Sequence, residues 1–262
     1  FPFPVSFLEG LKQEGITYSF LTNNPSKSKD EYIRHLHKMG IPSTPEELYT
    51  SAQATIDYIR INYPKVNRLF LLGTPGMIGE FEAAGFVSTA DSPEDRPDMT
   101  VVAFDRSLVY SRLCRACWWI RQGLPYIATN PDRVCPTDQP TVLVDCGSLC
   151  ACIEQAAGRK PDVIVGKPDP RMLSGILQRY NLKPEEVAMA GDRIYTDVVM
   201  AKNAKALGVL VLSGETRAED VPLSEVQPDL VLKNVSELGT LLVKSRQAWQ
   251  GKNPAAGLLY TA

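Results

Sequence analysis

Two carboxylates, Asp192 and Asp197, follow an apolar run of residues that ends at Met189. The run predicts a strand, and the residues after it predict a tight turn and then a helix over 196–207. Ligands of α/β proteins bind at the carboxyl ends of strands, and carboxylate oxygens suit a hard cation such as Mg²⁺. The pair therefore predicts part of a metal site. The alternative is structural: Asp192 would be a turn residue, and Asp197 would be a carboxylate in the first helical turn, where the helix dipole favours it.

A second polar group follows the apolar run over 16–21, which also predicts a buried strand. Thr22, Asn23 and Asn24 supply hydroxyl and amide groups, and the next helix begins close behind them with free backbone N–H groups. Together these donors can hold an anion such as phosphate. A simple helix cap and turn is the alternative interpretation, because Asn and Ser are common where helices start.

A lysine, Lys167, stands between Gly166 and Pro168 after the strand predicted over 162–165. Its ammonium group would lie at the same end of the sheet as the two carboxylates. There a compact positive charge can bind a phosphoryl oxygen or a carboxylate. The alternative is a solvated loop lysine with no ligand.

Two further polar clusters lie in the middle of the chain. Asn130 and Asp132 follow a short apolar strand, and Gly147 and Ser148 stand at the start of a helix that Asp145 opens. Both clusters could contact a substrate as one wall of a site. Each could also only cap its helix, and capping is the favoured interpretation for Asp145 and Ser148.

An alternation of strands and helices must position these groups of residues. It runs through the first part of the chain, restarts in the middle and continues to the last helix, which indicates an α/β protein of two domains. Glycines that close helices are expected at 15, 40, 85, 123 and 208. Helices are predicted over 5–14, 27–39, 51–61, 75–84, 111–122, 145–157, 171–180, 196–207 and 235–249, and strands over 16–21, 68–72, 99–104, 126–128, 162–165, 187–189, 209–212 and 230–232.

The composition narrows the class of partner. The 262 residues carry a net charge of −2 and an isoelectric point of about 5.8, with Lys and Arg scattered along the chain. No basic patch for nucleic acid or an anionic membrane is present, so we expect a small-molecule partner. The absence of a long apolar run favours a soluble cytoplasmic protein. Six cysteines without a paired zinc motif are expected to be reduced thiols.

Phosphate donors, a cation and metal carboxylates at three separate strand ends are the apparatus of phosphoryl transfer. With these motifs in this order, the sequence resembles the haloacid dehalogenase (HAD) superfamily, and within it the NagD-like, p-nitrophenylphosphatase branch. The resemblance extends from about Pro4 to about Glu237. The matching stretches are residues 20–26, 49–52, 128–132, 165–168 and 191–197.

The resemblance implies a Rossmann-like HAD core with a parallel sheet, formed by residues 1–64 and 162–262, and an α/β cap domain inserted over 65–161. It implies a Mg²⁺-dependent phosphatase acting on a small phosphorylated metabolite, with a possible homodimer through the cap. The implied roles are phosphoryl contacts from Thr22 and Asn23, charge compensation by Lys167, metal ligation by Asp192 with support from Asp197, and substrate contacts from Asn24, Asn130, Asp132, Gly147 and Ser148.

One motif of the superfamily, Asp-x-Asp-Gly, does not occur in the 262 residues. Its first Asp is the nucleophile and its second protonates the leaving alcohol. We therefore expect the nucleophile upstream of Phe1, where the superfamily has a strand before the first helix, and we expect these residues alone to be inactive. The alternatives are a catalytically inactive phosphate-binding protein and a dinucleotide-dependent oxidoreductase. The second is disfavoured because no G-x-G-x-x-G is present. Nucleotides, sugar phosphates and pyridoxal phosphate all remain candidate substrates.

Overall fold

The computed structural model describes the backbone of residues 3–252 and the side chains of residues 5–246. The ends of the chain, including residues 253–262 of the tail for which the sequence predicts no function, lie outside the described residues. Within them, no helix is both long and apolar enough to cross a membrane.

The described helices and strands alternate over most of the chain. The helices are α1 (Phe3–Gln13), α2 (Lys29–Lys38), α3 (Ser51–Asn62), α4 (Pro75–Ala83), α5 (Tyr110–Arg121), α6 (Cys146–Ala157), α7 (Arg171–Tyr180), α8 (Val199–Ala204) and α9 (Val235–Lys252). The strands are β1 (Phe20–Thr22), β2 (Leu48–Thr50), β3 (Arg68–Leu72), β4 (Val87–Ser88), β5 (Met99–Val102), β6 (Tyr126–Ala128), β7 (Val134–Cys135), β8 (Leu143–Val144), β9 (Val163–Ile164), β10 (Ala188–Gly191), β11 (Leu207–Val211) and β12 (Leu230–Leu232).

Parallel pairing dominates the sheets, which confirms the predicted α/β class. A five-stranded parallel sheet has the order β4-β3-β5-β6-β9, and we call residues 68–164 the middle region after it. The other described residues form the outer region, which contains the parallel pair β1-β2 and the parallel sheet β10-β11-β12. A short antiparallel hairpin, β7-β8, projects from the middle region.

A shared hydrophobic core joins the two regions. Tyr49 and Ile56 of the outer region belong to the same buried cluster as Leu71 and Phe81 of the middle region. A second cluster, which includes Trp119, fills the other face of the five-stranded sheet beneath α5 and α6. Burial of both faces explains why the strands of this sheet read as continuous apolar runs rather than alternating ones.

Side-chain caps and glycines fix the helix ends. Ser28 and Glu31 form a capping box at α2, and Thr74 caps α4 through the N–H of Met77. Four of the five glycines predicted to close helices adopt positive φ, where a side chain would be strained. They are Gly15, Gly40, Gly85 and Gly123.

The fifth, Gly208, was predicted wrongly, and the helix predicted over 196–207 ends earlier, at Ala204. A π-helical turn, Ile194–Val198, leads into a short α8, and Lys205 in the left-handed region ends it. Leu207 and Gly208 instead belong to β11, which pairs with β10 on one side and β12 on the other. An apolar strand that completes a parallel sheet is more stable here than a longer helix would be, because Val209 and Leu210 become fully buried.

Two other predicted segments differ in extent. The strand predicted over 16–21 is formed only at Phe20–Thr22, where it can pair with β2. The strand predicted over 162–165 is formed at Val163–Ile164 and pairs with β6, so it closes the five-stranded sheet of the middle region rather than joining the outer sheets.

Candidate active site

Asn23 lies where the outer and middle regions meet. Its Oδ1 accepts the backbone N–H of Lys167 at 2.7 Å, and its Nδ2 donates to the Lys167 carbonyl at 3.0 Å and to Asp132 Oδ2 at 3.1 Å. Ser51 at the start of α3 donates its hydroxyl to the Asn23 carbonyl at 2.7 Å. Four bonds therefore fix this residue between two strand ends and a loop of the middle region.

The Thr22 hydroxyl sits at the end of β1. Its Oγ1 accepts the backbone N–H of Asn24 at 3.1 Å, while the Asn24 side chain accepts the N–H of Ser26 at 2.9 Å. These are the turn interactions that the sequence offered as an alternative to ligand binding. In these bonds Thr22 Oγ1 acts only as an acceptor.

Lys167 connects this strand end to the acid-bearing turn. Its ammonium Nζ lies 2.7 Å from Asp197 Oδ1, and the two side chains are 15% and 5% exposed. The other oxygen of Asp197 accepts the backbone N–H of Arg193 at 3.2 Å. Both oxygens of Asp197 are thus engaged by protein donors, and its carboxylate orients the lysine.

Asp192 is held by the loop that follows β11. Its Oδ2 accepts the backbone N–H of Glu215 at 2.8 Å, and its carbonyl accepts that of Thr216 at 3.1 Å. The chain passes so close that a Cβ built on Gly214 would lie 2.2 Å from Asp192 Oδ2. Only glycine fits at this position without displacing the carboxylate.

A cavity of about 250 Å³ opens between these strand ends and the hairpin. Five of the residues predicted from the sequence line it: Thr22, Asn23, Asn24, Asp132 and Lys167. The remaining lining residues are Leu21, Val134, Cys135, Pro136, Asp145, Arg193 and Thr196.

Three other predicted residues lie behind the cavity wall. Asn130 is fully buried and donates to Asp145 Oδ1 at 3.0 Å. Gly147 packs so tightly that a Cβ would lie 2.2 Å from the Pro131 carbonyl, and Ser148 donates to the Arg133 carbonyl at 2.7 Å. Asp192 and Asp197 are likewise outside the set of residues that line the cavity. Asn130, Gly147 and Ser148 therefore brace the wall, whereas Asp192 and Asp197 belong to the turn that supplies Arg193 and Thr196 to the lining.

Sequence reasoning assigned no role to the polar lining residues Arg193, Thr196 and Cys135. Arg193 and Thr196 belong to the same stretch as the two carboxylates, so their position was available from the motif, although no role followed from it. Thr196 is 5% exposed, and its Oγ1 has no hydrogen-bond partner within the described part of the chain. Cys135 lies on a two-residue strand, which is too short to give a periodic signal.

Burial sets the proton affinity of two groups in the wall. It raises the pKa of Asp145 above its ordinary value, against the lowering effect of hydrogen bonds from Asn130 and the Cys146 N–H. Asp145 also caps α6, which confirms the favoured interpretation for Asp145 but not for Ser148, whose hydroxyl donates to the Arg133 carbonyl. Burial raises the pKa of the Cys135 thiol as well, and the nearby carboxylates of Asp145 and Asp132 add to that effect. A neutral thiol is a poor nucleophile and a poor metal ligand.

The donor set suits a metal held only partly by protein. Residues 5–246 contain no group of three or more His, Cys, Asp or Glu side chains arranged to hold an ion. Asp192 Oδ1 accepts no hydrogen bond from that part of the chain, because the Glu215 N–H goes to Oδ2. One such carboxylate is enough where Mg²⁺ takes its remaining ligands from phosphate and water.

Comparisons with known proteins identify the family of the chain. Residues 2–87 match the haloacid dehalogenase-like hydrolase family, and residues 164–238 match a HAD-hydrolase-like family. The ribonucleotide monophosphatase NagD of Escherichia coli K12 is 31% identical over 240 residues, which are 92% of this chain and 92% of that protein. The acid sugar phosphatase of Staphylococcus aureus is 32% identical over 231 residues, 88% of this chain and 87% of that protein.

Solved structures show the same likeness. A 4-nitrophenylphosphatase from Thermotoga maritima superimposes with a TM-score of 0.85 and 41% identity over 92% of this chain and 90% of that one. A glycerol phosphate phosphatase from Mycobacterium tuberculosis, solved in complex with calcium, gives a TM-score of 0.80 at 30% identity over 87% of this chain and 67% of that one. By sequence, fold and arrangement of its strand ends, the chain belongs to the haloacid dehalogenase-like hydrolase family, in its NagD-like branch.

Proposed function

We propose that the protein is a Mg²⁺-dependent phosphatase that hydrolyses a small phosphomonoester. The observation that carries the proposal is the double attachment of Lys167. Its backbone N–H donates to Asn23 at 2.7 Å, and its ammonium group lies 2.7 Å from Asp197. One lysine therefore contacts both the strand end that carries the phosphate donors and the turn that carries the acids. Relatives named ribonucleotide monophosphatase, acid sugar phosphatase and 4-nitrophenylphosphatase support it.

Some residues of this chain bind the phosphoryl group, and others orient the residues that bind it. The Thr22 hydroxyl and the backbone N–H of Asn23 donate to phosphoryl oxygens. The Asn23 side chain is occupied by Lys167 and Asp132 and therefore positions both of them. The Lys167 ammonium offsets the negative charge of the phosphoryl group and of the nucleophile, which is the main requirement in phosphoryl transfer.

Mg²⁺ fits this proposal through Asp192, whose carboxylate the 214–216 loop orients, with Asp197 outside the coordination sphere. When bound, the ion would supply positive charge to the phosphoryl oxygens as they transfer. The orphaned Thr196 hydroxyl lies in the same turn and could donate to a ligand of the ion or to the phosphoryl group.

The nucleophile is proposed on a further strand, because Asp-x-Asp-Gly is absent from the 262 residues. Among the described residues, β1 pairs only with β2 and β10 only with β11, so one edge of each strand is unpaired. The first Asp of such a strand would attack phosphorus and form an aspartyl phosphate. The second would protonate the leaving alcohol and then take a proton from the water that releases phosphate.

The experiment is a turnover assay of the full-length protein with p-nitrophenyl phosphate, with and without Mg²⁺. We expect Mg²⁺-dependent release of p-nitrophenol that falls by at least about 100-fold in Lys167→Ala and in Asp192→Ala. Lys160→Ala, which removes an exposed lysine paired with Glu154, is the matched control and should leave the rate unchanged. Full-length protein with no upstream Asp-x-Asp-Gly and no turnover would contradict the proposal.

The absent motif favours one other candidate, a catalytically inactive phosphate-binding protein. It would bind inorganic phosphate through the same residues without releasing an alcohol. Calorimetric binding of phosphate by full-length protein that shows no turnover would establish this alternative.

A further inference from the structure

We infer that the side chain of Glu215 is a positioning group for the proposed metal ligand, because it holds the loop of residues 213–217 against the turn that carries Asp192. This inference rests on the proposed function for the role of Asp192, and it adds a residue that does not line the cavity. It comes from the contacts of Glu215, from the composition of the loop and from the length of the side chain that these contacts need.

Glu215 contacts the acidic turn at three positions. Its backbone N–H donates to Asp192 Oδ2 at 2.8 Å. One oxygen of its carboxylate accepts the Tyr195 hydroxyl at 2.5 Å, and the other lies 2.7 Å from Arg193 Nε. The backbone and both carboxylate oxygens of one residue are therefore engaged by the turn that follows β10.

The loop has no apolar anchor of its own. Residues 213–217 are Ser-Gly-Glu-Thr-Arg, and none of them is buried. Segments with few buried contacts open locally at a low free energy. The polar contacts with the turn therefore decide where the Glu215 N–H lies, and this N–H orients the Asp192 carboxylate.

The contact with Arg193 also limits the movement of the turn itself. Arg193 follows Asp192 directly in the chain, lines the cavity and donates its backbone N–H to Asp197 at 3.2 Å. Its side chain is tied to Glu215 and its backbone to Asp197. The turn and the loop are thus joined on both sides of the Asp192 carboxylate.

Substitution at position 215 can separate the position of the side chain from its charge. Aspartate carries the same charge as glutamate but is shorter by one methylene group, so it cannot keep both side-chain contacts while its N–H binds Asp192. Glutamine has the same length as glutamate. Its amide oxygen can accept from Arg193, and its amide nitrogen can donate to the oxygen of the Tyr195 hydroxyl.

The test measures the Mg²⁺ affinity of the full-length protein by calorimetry for wild type, Glu215→Gln, Glu215→Asp and Glu215→Ala. We expect Glu215→Gln to stay within about threefold of wild type, because an exposed charge is screened by solvent. The other two variants should bind Mg²⁺ about tenfold more weakly, since each loses contacts that orient a metal ligand.

Any other order of affinities would overturn the inference. In particular, wild-type affinity in Glu215→Asp with a loss in Glu215→Gln would show that the charge matters and the position does not. A wild-type protein that binds no Mg²⁺ would overturn it as well, because Asp192 would then not be a metal ligand.

A purely structural role of Glu215 would give a different result. The side chains of Arg193 and Glu215 are 27% and 45% exposed, and exposed ion pairs contribute little to folding stability. We therefore expect the same urea midpoint for Mg²⁺-free Glu215→Ala and wild type. A lower midpoint with unchanged Mg²⁺ affinity would refute the inference. Glu219→Ala, which removes an exposed carboxylate paired with Arg217, is the control and should change neither quantity.

The variant Tyr195→Phe tests the second side-chain contact. It removes the hydroxyl that donates to Glu215 and leaves the ion pair with Arg193 in place. We expect a smaller loss of Mg²⁺ affinity than in Glu215→Ala, and no further loss when the two changes are combined, because residues that act through one contact are not additive. Additive losses would show that Tyr195 acts independently of Glu215 and would contradict the inference.

Failure of the proposed function can be told apart from failure of this inference. If the expected order of Mg²⁺ affinities is found but p-nitrophenyl phosphate is not hydrolysed, the phosphatase proposal fails and the inference stands. If p-nitrophenyl phosphate is hydrolysed but the Mg²⁺ affinity does not depend on residue 215, the inference fails and the phosphatase proposal stands.

Discussion

Individual side chains of the proposed site are held by neighbours that allow them little freedom. Asn23 makes its four hydrogen bonds to three different parts of the chain, and Asp197 gives one oxygen to Lys167 and the other to a backbone N–H. Gly214 allows the backbone to approach the Asp192 carboxylate. Such supporting contacts fix the orientation that ligand binding requires.

Gly214→Ala is predicted to weaken Mg²⁺ binding. A Cβ at this position would lie 2.2 Å from Asp192 Oδ2, so the carboxylate must move. Loss of a partner that orients a metal ligand typically costs about 10- to 100-fold in affinity. Calorimetric titration with Mg²⁺ measures the effect. Gly79→Ala, where a Cβ would have no neighbour within 4 Å, is the control, and equal affinities in the two variants would refute the prediction.

Asp145→Asn is predicted to stabilise the protein at neutral pH. Burial raises the pKa of Asp145 above the ordinary 3.8. At any pH between 3.8 and this raised pKa, the folded protein binds more protons than the unfolded chain. The stability that this group contributes is therefore full below the ordinary pKa and is lost as the pH rises through the folded pKa. Asn keeps the helix cap without the charge.

The free energy of unfolding in urea, measured for wild type and Asp145→Asn from pH 4 to pH 7.5, checks this prediction. The advantage of the variant should grow as the pH rises and then level off. A constant difference, or one that shrinks toward neutral pH, would mean that burial does not raise the proton affinity of this carboxyl group.

The site forms where the ends of strands meet the beginnings of helices. β1 ends at Thr22, α3 begins at Ser51, and the turn after β10 carries the two acids. α7 packs against β2 and α3 at Gly175, where a Cβ would lie 1.9 Å from the Tyr49 hydroxyl and 3.2 Å from Asp57 Oδ2. This close approach lets α7 follow the Lys167 loop directly.

Gly175→Ala is predicted to destabilise the fold by about 1–3 kcal/mol, because the added methyl group overpacks a site next to the buried Tyr49 ring. Unfolding in urea measures the change. Gly79→Ala adds the same group to an exposed helical position and should stabilise by up to ~1 kcal/mol. A Gly175→Ala variant as stable as the Gly79→Ala variant would show that α7 can shift away at no cost.

Element type was predictable to the degree that each segment was long and periodic. The five-stranded sheet, apart from its two-residue edge strand β4, and helices such as α3 and α5 follow from buried apolar runs and from glycines that must take positive φ. The two-residue strands β7 and β8 did not, because pairing rather than pattern defines them. The π-helical turn after Arg193 was also not predicted, since the contact of its Asp197 with Lys167, 30 residues away, is not encoded in the local pattern.

The candidate site was likewise predictable from the sequence only in part. Thr22, Asn23 and Lys167 were placed together from sequence on the expectation that their strands end on the same side of one sheet. They do meet, but β1 and β9 belong to different sheets. The contribution of the β7-β8 hairpin, and the position of Asn130 behind the wall, depend on long-range contacts between Asp132, Asn23 and Asp145. No local pattern encodes those contacts.

On the scale of the whole molecule, the outer and middle regions share one buried cluster and one site. Asn23 bonds across the boundary to Asp132, and Tyr49 packs in the same core as Leu71 and Phe81. Regions joined in this way are expected to unfold together.

We predict a single cooperative unfolding transition. The fluorescence of Trp118 and Trp119 reports unfolding of the middle region, and circular dichroism reports unfolding of the helices of both regions. The variant Trp249→Phe removes the fluorescence of the tryptophan in α9. Coincident transitions are expected. Separate fluorescence and dichroism midpoints would show that the middle region is an independent unit.

The central claim is that Thr22, Lys167 and Asp192 form one site for a phosphoryl group and Mg²⁺. The most direct measurement is the calorimetric affinity of the protein for inorganic phosphate with and without Mg²⁺, and for Mg²⁺ with and without phosphate. Two ligands that share a site must strengthen each other by the same factor. We predict such a mutual increase in wild type and its loss in Asp192→Ala. Phosphate affinity that is independent of Mg²⁺ would contradict the claim.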